Sequence, residues 1–452
     1  MMSTSFLVFI VVSAVVLLLF FVLKLKLSAF IALLITAIYV GILAGMPLKE
    51  ITRSIQEGMA GTLGFVATVV GLGAIFGQML ESSGGAESLA HYLIKKFGSD
   101  RASWAMVVTG FVVAIPVFLD VGFIIIVPII YALSRDTKKS LLYYAIPLLA
   151  GLAVTHSFVP PTPGPVAVAD IINVQLGWVI LLGSAIGLPI AVLAGPVWGK
   201  FISRKIYLEP PPHFDNELHK VDPENHPPFR LIAVVISIPL LLILVNTFTG
   251  VAVSKGFVPQ SVWTDILEFV GHPFSALIIA TLMAIYFLCI RRGMGRQQVL
   301  DLSTKALGPA GIIILITGAG GVLKQMLIDS GIGQIMAESM AGSSLPPILL
   351  AWTLAAVVRI TQGSATVAMI TAAGIIAPVI GEFGLSDPHR ALVVIAIAAG
   401  ATILSHVNDS GFWLVSKYLG MNEKQTLQSW TVMETIIAVS GLILTLLVSL
   451  II

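Results

Sequence analysis

The sequence predicts an all-α polytopic membrane protein, and two observations lead to this prediction. Only 11% of the 452 residues are charged, whereas a soluble domain carries roughly 25%. Residues of the apolar set make up 57% of the chain and recur in stretches of roughly 20 residues, the length that a bilayer requires. Because a soluble core needs a polar surface around it, the surface of this chain is expected to lie in lipid.

The same composition excludes several classes of protein. Cys289 is the sole cysteine, so a disulfide scaffold is excluded. A net charge of +2 provides no electrostatic footprint for nucleic acid. The sequence has neither a zinc-binding H-E-x-x-H motif nor a phosphate-binding G-x-x-x-x-G-K-[ST] loop, so no metal or cofactor is expected and ATP-driven pumping is disfavoured.

Ten apolar stretches are expected to cross the membrane fully. Lys24 and Lys26 follow the first stretch, which places the N-terminus outside by the positive-inside tendency. The residues 51–61, between the second and third stretches, are expected to form an outer loop with room for an interfacial helix. The ten stretches are 6–23, 27–45, 62–80, 141–169, 177–199, 231–249, 273–290, 306–328, 391–415 and 430–452.

Two further apolar stretches, 104–133 and 346–380, are broken in the middle and are predicted to be re-entrant hairpins. Basic clusters at 95–101 and 135–139 flank the first, so both of its ends belong inside. Mainly carboxylates flank the second, so both of its ends fit outside. With the ten spans, both termini then lie outside.

A charged, proline-rich segment at 206–229 divides the chain and is predicted to be a cytoplasmic linker, with a docking site for a partner as the alternative. The halves 1–205 and 230–452 resemble each other. Gln-Met-Leu-x-x-Ser-Gly occurs at 78–84 and again at 325–331, followed in each half by a hairpin and a broken span. An odd number of spans per half reverses the second copy, which predicts the inverted-topology repeat typical of secondary transporters.

The polar residues at membrane depth concentrate in four helix breaks, two in each half. Unwound backbone is tolerated in a membrane only beside protein or water, so these breaks are the predicted binding region. The most specific break lies near 155–165, where four prolines stand among Thr155, His156, Ser157 and Thr162. The second broken span is interrupted near 404–411.

Charged residues in these breaks suggest roles in binding and coupling. Arg359 lies deep in an apolar stretch and suits a substrate carboxylate. The alternatives are a salt bridge to Asp120 or Asp409, or a position nearer the outer surface. Both aspartates are candidate proton carriers, with a structural role at a half-helix N-terminus as the alternative. His156 and His406 are candidate proton relays or ordinary hydrogen-bonding residues.

The motif at 155–165 resembles the signature of the gluconate permease family, bacterial proton symporters for gluconate and related acids. The motifs at 120–123, 363–368 and 406–413 are also similar to that family, in the same order. The resemblance implies import of a sugar acid across the bacterial inner membrane, with a proton as partner. It also implies membership of the ion-transporter superfamily, whose members are typically homodimers with a moving hairpin domain. We therefore expect an elevator-type transporter, in which this domain moves against the first two spans of each half.

The resemblance also implies a set of site residues. Asp120, Asp409 and His156 are the expected proton-coupling groups. The expected substrate-binding residues are Thr155, His156, Ser157, Thr162, Arg359, Gly363, Ser364, Thr366, His406, Asn408, Asp409 and Ser410.

Several alternatives remain open at this stage. The substrate could be D-serine or another small carboxylate, and the coupling ion could be Na⁺. A passive anion channel would show no accumulation of its ion. An intramembrane enzyme could use His406 and Asp409 with Ser410 as nucleophile, although such an enzyme would not require a repeat.

Overall fold

The computed structural model describes residues 4–98, 101–210, 227–332 and 346–452, which are built from helices. The first half contains α1 (Thr4–Leu23), α2 (Ala29–Leu43), α3 (Leu48–Ser82), α4 (Gly85–Phe97), α5 (Ala102–Val113), α6 (Leu119–Thr137), α7 (Leu142–Phe158), α8 (Pro163–Ile172) and α9 (Leu176–Lys205). The second half contains α10 (Phe229–Ser254), α11 (Val262–Gly271), α12 (Pro273–Arg292), α13 (Arg296–Asp329), α14 (Pro347–Gln362), α15 (Ala365–Glu382), α16 (Asp387–Gly400), α17 (Ser410–Leu419) and α18 (Glu423–Ser449).

The helices have the length and composition of membrane spans. In the described part of the chain, eight helical segments are long and apolar enough to cross a bilayer, with α7 and α8 counted as one segment. Shorter apolar helices accompany them, including α2, α5 and α14. The prediction of an all-α, multi-pass membrane protein is therefore confirmed.

The helices are interrupted close to the predicted breaks. The gaps lie at 114–118 between α5 and α6, at 159–162 between α7 and α8, at 363–364 between α14 and α15, and at 401–409 between α16 and α17. The gap at 159–162 falls within the predicted break near 155–165, and the gap at 401–409 begins three residues before the predicted break near 404–411. Asp120 and Arg359 lie on the helices α6 and α14. Most of the predicted linker, 211–226, lies outside the described residues.

The expected outer loop at 51–61 is wrong, because these residues belong to the N-terminal part of α3. Their charges favour a helix here, since Arg53 and Glu57 are spaced by four residues and form an ion pair with a 2.7 Å separation. This part of α3 also packs against α13, where Ser54 Oγ donates to Asp329 Oδ2 at 2.6 Å. α3 is thus 35 residues long.

The helices α3 and α13 form the most extensive helix pair of the described chain and run antiparallel. The repeated Gln-Met-Leu-x-x-Ser-Gly sequence ends both helices in the same way. Ser83 and Ser330 are the C-cap residues, and the glycines that follow, Gly84 and Gly331, have left-handed backbones with φ of 73° and 70°. A left-handed residue after a helix is most easily supplied by glycine, which explains why both copies of the motif end in glycine.

The broken spans form the centre of the molecule. α7 and α16 are buried on nearly every side, which explains why their sequences are apolar all round. Gly151 of α7 permits close approach to α5, since a Cβ there would lie 2.3 Å from the Val107 carbonyl oxygen. Gly400 of α16 does the same against α14, at 2.3 Å from the Trp352 carbonyl oxygen.

Candidate functional site

A cavity of about 480 Å³ lies where the helix breaks of the two halves meet. α6, α15 and α17 begin at its wall, α7 and α14 end there, and α18 forms part of the wall. The volume lies within the roughly 300–1,000 Å³ of small-molecule sites. The lining includes ten of the residues predicted from the sequence, namely Asp120, His156, Ser157, Arg359, Gly363, Ser364, Thr366, Asn408, Asp409 and Ser410.

Three helices begin at the wall of the cavity, and a helix N-terminus carries a partial positive charge. The Ser364 side chain caps α15 by accepting from the Val367 N–H at 3.4 Å, and Asp409 caps α17 by accepting from the Gly411 N–H at 3.0 Å. α6 follows Phe118, whose side chain cannot cap a helix. The amides of its first turn therefore remain available to a ligand, and such amides suit an anionic group.

Arg359 is the cation of the cavity and is only 3% exposed. Its Nη2 donates to Asp409 Oδ2 at 2.5 Å, so the predicted alternative of a salt bridge to Asp409 is confirmed. Among the described residues, its Nε and Nη1 have no hydrogen-bond partner. A buried guanidinium with free donors provides strong hydrogen bonds for a carboxylate.

Asp409 is held by several donors at once. Besides Arg359 and the Gly411 N–H, the Ser405 hydroxyl donates to its Oδ2. The Trp430 indole N–H in turn donates to Ser405 Oγ at 2.6 Å, which joins α18 to this network. Asp409 therefore caps α17 and forms a salt bridge, which is the structural arrangement that the sequence left open as an alternative.

The end of α14 is packed tightly against the break before α17. Gly363 has φ of 88°, and a Cβ there would lie 2.3 Å from the Asn408 carbonyl oxygen. The Asn408 amide donates to the Ile360 carbonyl oxygen at 3.0 Å, and His406 Nε2 lies 2.9 Å from the same oxygen. These contacts fix the second pair of broken elements against each other.

Three predicted residues do not line the cavity. Thr155 is fully buried, and Thr162 donates to the Val159 carbonyl oxygen at 2.7 Å within the first proline-rich break. His406 is directed to the α14 backbone instead of the cavity. The prolines turn the chain between α7 and α8 and so carry Thr162 away from the wall that His156 and Ser157 form.

Asp120 and His156 face the cavity from the first half. Asp120 is exposed there, at the start of α6. The His156 ring lies edge-on to Phe118, with 5.9 Å between centroids, and its Nδ1 has no partner among the described residues. In the described ranges no three His, Cys, Asp or Glu side chains cluster as metal ligands would.

Sequence reasoning missed four polar residues of the wall, Gln362, Thr402, Trp430 and Glu434. Glu434 is 4% exposed, and its Oε1 has no hydrogen-bond partner in the part of the chain that the structure describes. The signal was present, because Glu434 is the only charged residue in the predicted span 430–452. A carboxylate within a span is a functional residue by default.

Comparison with known proteins agrees with this architecture. A family model described as GntP family permease matches residues 6–451. The low-affinity gluconate transporter of Escherichia coli (strain K12) is 42% identical over 443 residues, which cover 98% of each chain. The gluconate permease of Pseudomonas aeruginosa is 41% identical over 429 residues, which cover 95% of this chain and 94% of the relative.

A solved structure has a similar fold. The Alcanivorax borkumensis YdaH transporter matches with a TM-score of 0.63 and 12% identity, over 88% of each chain. The relatives are transporters and permeases, so this protein is a membrane transporter and the alternative of an intramembrane enzyme is wrong. The resemblance that the motif at 155–165 indicated is confirmed: the chain belongs to the GntP family of permeases.

Proposed function

We propose that the protein imports gluconate or a related small sugar acid by proton symport across the bacterial inner membrane. The observation that carries this proposal is that one cavity contains both Arg359, which has free hydrogen-bond donors, and a wall of hydroxyl and amide groups. The names of the relatives support the substrate class.

The cavity offers a complementary group for each part of such a substrate. The carboxylate binds at Arg359 and at the uncapped start of α6, where the guanidinium and the amides supply donors. The hydroxyl groups of a polyol chain bind to side chains that both donate and accept. These side chains are Ser157, Ser364, Thr366, Asn408 and Ser410.

The two halves form an inverted repeat in this proposal. The antiparallel packing of α3 and α13 supports it, because the shared helix-ending motif then lies at opposite ends of the pair. The hairpins α5–α6 and α14–α15 are re-entrant and contribute, with the broken spans, to one moving body. This body travels as an elevator against a frame of α1–α3 and α10–α13, and the protein works as a homodimer.

Uptake of labelled gluconate into proteoliposomes tests the proposal. An inward pH gradient in sodium-free buffer is expected to drive accumulation that a protonophore abolishes. Competition by unlabelled sugar acids and D-serine then ranks the substrates. Uptake that requires sodium would refute proton coupling, and equilibration without accumulation would identify a channel. Light scattering coupled to gel filtration checks the homodimer.

A further inference from the structure

The cavity contains three carboxyl groups in three different environments. Asp409 is paired with Arg359 and accepts from Ser405 and the Gly411 N–H, so its charge is fully compensated. Asp120 is exposed at the start of α6, where water and the helix dipole stabilise an anion. Glu434 has neither form of compensation, because it is 4% exposed and its Oε1 has no partner among the described residues.

An uncompensated carboxylate at this depth is costly, and binding a proton removes that cost. Arg359 and Asp409, which line the same cavity as Glu434, are paired with each other. His156 of α7 lines the same cavity. The other helices packed against α18 have their charged residues near their ends, at 200–205 on α9, at 387–390 on α16 and at Lys417 on α17.

We propose that Glu434 is the group that binds the transported proton. When Glu434 is neutral, the cavity accepts a substrate carboxylate beside Arg359. When Glu434 is ionised, the cavity holds an unpaired negative charge in addition to Asp120, and this charge repels the substrate. The assignment rests on the proposed function and identifies its coupling residue. It replaces Asp120, Asp409 and His156, which the sequence suggested for this role.

The affinity for gluconate as a function of pH tests the proposal. The protein, purified in detergent, is titrated with gluconate between pH 5 and pH 9, and the Kd is measured by calorimetry. Above the pKa of the coupling group, linkage requires the wild-type Kd to weaken tenfold for each pH unit. In Glu434→Gln the Kd is expected to be independent of pH.

A matched control distinguishes the effect of removing the cavity carboxyl group from the effect of removing any buried carboxyl group. Glu87 on α4 also has a buried carboxylate oxygen that finds no partner within the described ranges, but it does not line the cavity. Glu87→Gln is therefore expected to keep the wild-type pH dependence. If the Kd for gluconate still depends on pH in Glu434→Gln but not in Asp120→Asn, the assignment to Glu434 is overturned and proton symport stands. A wild-type Kd that is independent of pH would overturn proton symport as well, and absence of gluconate binding would overturn the substrate.

A measurement on the wild type covers the case in which Glu434→Gln does not fold. Dicyclohexylcarbodiimide modifies protonated carboxyl groups in apolar surroundings, and mass spectrometry locates the adduct. We expect modification of Glu434 that decreases at high pH and in the presence of gluconate. Modification of Asp120 or Asp409 without any at Glu434 would contradict the assignment.

Discussion

At the scale of single residues, the ion pair between Arg359 and Asp409 orients the guanidinium that we propose binds the substrate carboxylate. Both side chains are largely withdrawn from solvent, with 4% and 12% of their surface exposed. Asp409 also caps α17, so the carboxylate that orients Arg359 is itself fixed by the backbone. The remaining guanidinium donors are thus presented in one orientation, which is a requirement for selecting carboxylate substrates.

Removing one partner of this pair is expected to destabilise the protein strongly. Arg359→Met leaves Asp409 buried without its cation, a change that costs about 3–5 kcal/mol in comparable buried pairs. The thermal midpoint in detergent should fall and gluconate binding should be lost. The exposed pair of Arg53 and Glu57 provides the control, since Arg53→Gln should leave the midpoint unchanged.

The double variant Arg359→Met with Asp409→Asn separates stability from binding. Because both charges are removed together, most of the lost stability should return, whereas gluconate binding should not. Recovery of binding in the double variant would show that Arg359 does not contact the substrate.

Gly363 is expected to be essential for the shape of the cavity. Gly363→Ala places a Cβ 2.3 Å from the Asn408 carbonyl oxygen on a backbone with φ of 88°, so α14 and α17 must separate. Gluconate uptake should fall at least tenfold, as measured in proteoliposomes. Gly64→Ala in α3, where a Cβ meets nothing within 4 Å, is the control and should retain uptake. Equal uptake by both variants would contradict this account.

The sequence predicted most residues of the cavity but not all of them, and the differences have physical reasons. Residues in the breaks were found because polar groups at membrane depth are rare, and ten of them line one cavity. Thr155 and Thr162 could not be placed, since the direction of a side chain beside prolines depends on the path of the chain. The ion pair joins residues fifty positions apart, and local sequence leaves several possible partners for such a cation.

At the scale of helices, the boundary between α8 and α13 is the place where the proposed elevator would slide. Asp170 of α8 and Lys324 of α13 lie on helices that pack against each other here, and their charges are opposite. Gly320 lies on the same face of α13 and contacts Ile370 of α15 closely. A Cβ added to Gly320 would lie 2.5 Å from Cγ2 of Ile370. α8 and α15 belong to the proposed moving body, and α13 belongs to the frame.

A cross-link at this boundary should stop transport. In a Cys289→Ala background, Asp170→Cys and Lys324→Cys are joined by a reducible bifunctional thiol reagent, and this cross-link is expected to abolish gluconate uptake until it is reduced. Ser54→Cys with Asp329→Cys joins α3 to α13 within the frame and should cross-link without loss of uptake. Uptake that survives the first cross-link would rule out the elevator.

The sequence predicted where helices break more accurately than where they begin. Breaks require prolines, glycines or polar groups, which stand out in an apolar chain. The start of α3 was misplaced because charged residues resemble a loop. At about 1.5 Å per residue, a helix of 35 residues extends roughly 50 Å, so its polar first turns lie beyond the apolar core of a bilayer.

At the scale of the whole molecule, the two halves are joined by packing along the full length of the chain. α3 packs on α13, α9 on α16, and α8 on α15, so each contact combines one helix from each half. The covalent link between halves is therefore expected to be dispensable once the chain has folded.

Cleavage within the linker tests this expectation. A protease site inserted in the segment 211–226 and cut in membranes should leave gluconate uptake intact, with both halves eluting together in detergent. The same site inserted between Gln362 and Gly363 provides a positive control, since it interrupts the cavity wall and should abolish uptake. Separation of the halves after linker cleavage would contradict the prediction.

The salt bridge of Arg359 and Asp409 also bears on how membrane voltage acts on transport. Both partners belong to the body proposed to move, so as a pair they carry no net charge across the electric field. Each uncompensated charge that crosses gains or loses about 2.3 kcal/mol per 100 mV. One proton that enters together with one monovalent acid anion carries no net charge across the membrane. A potassium diffusion potential alone should therefore drive no accumulation of gluconate, and the pH gradient should supply the driving force for accumulation.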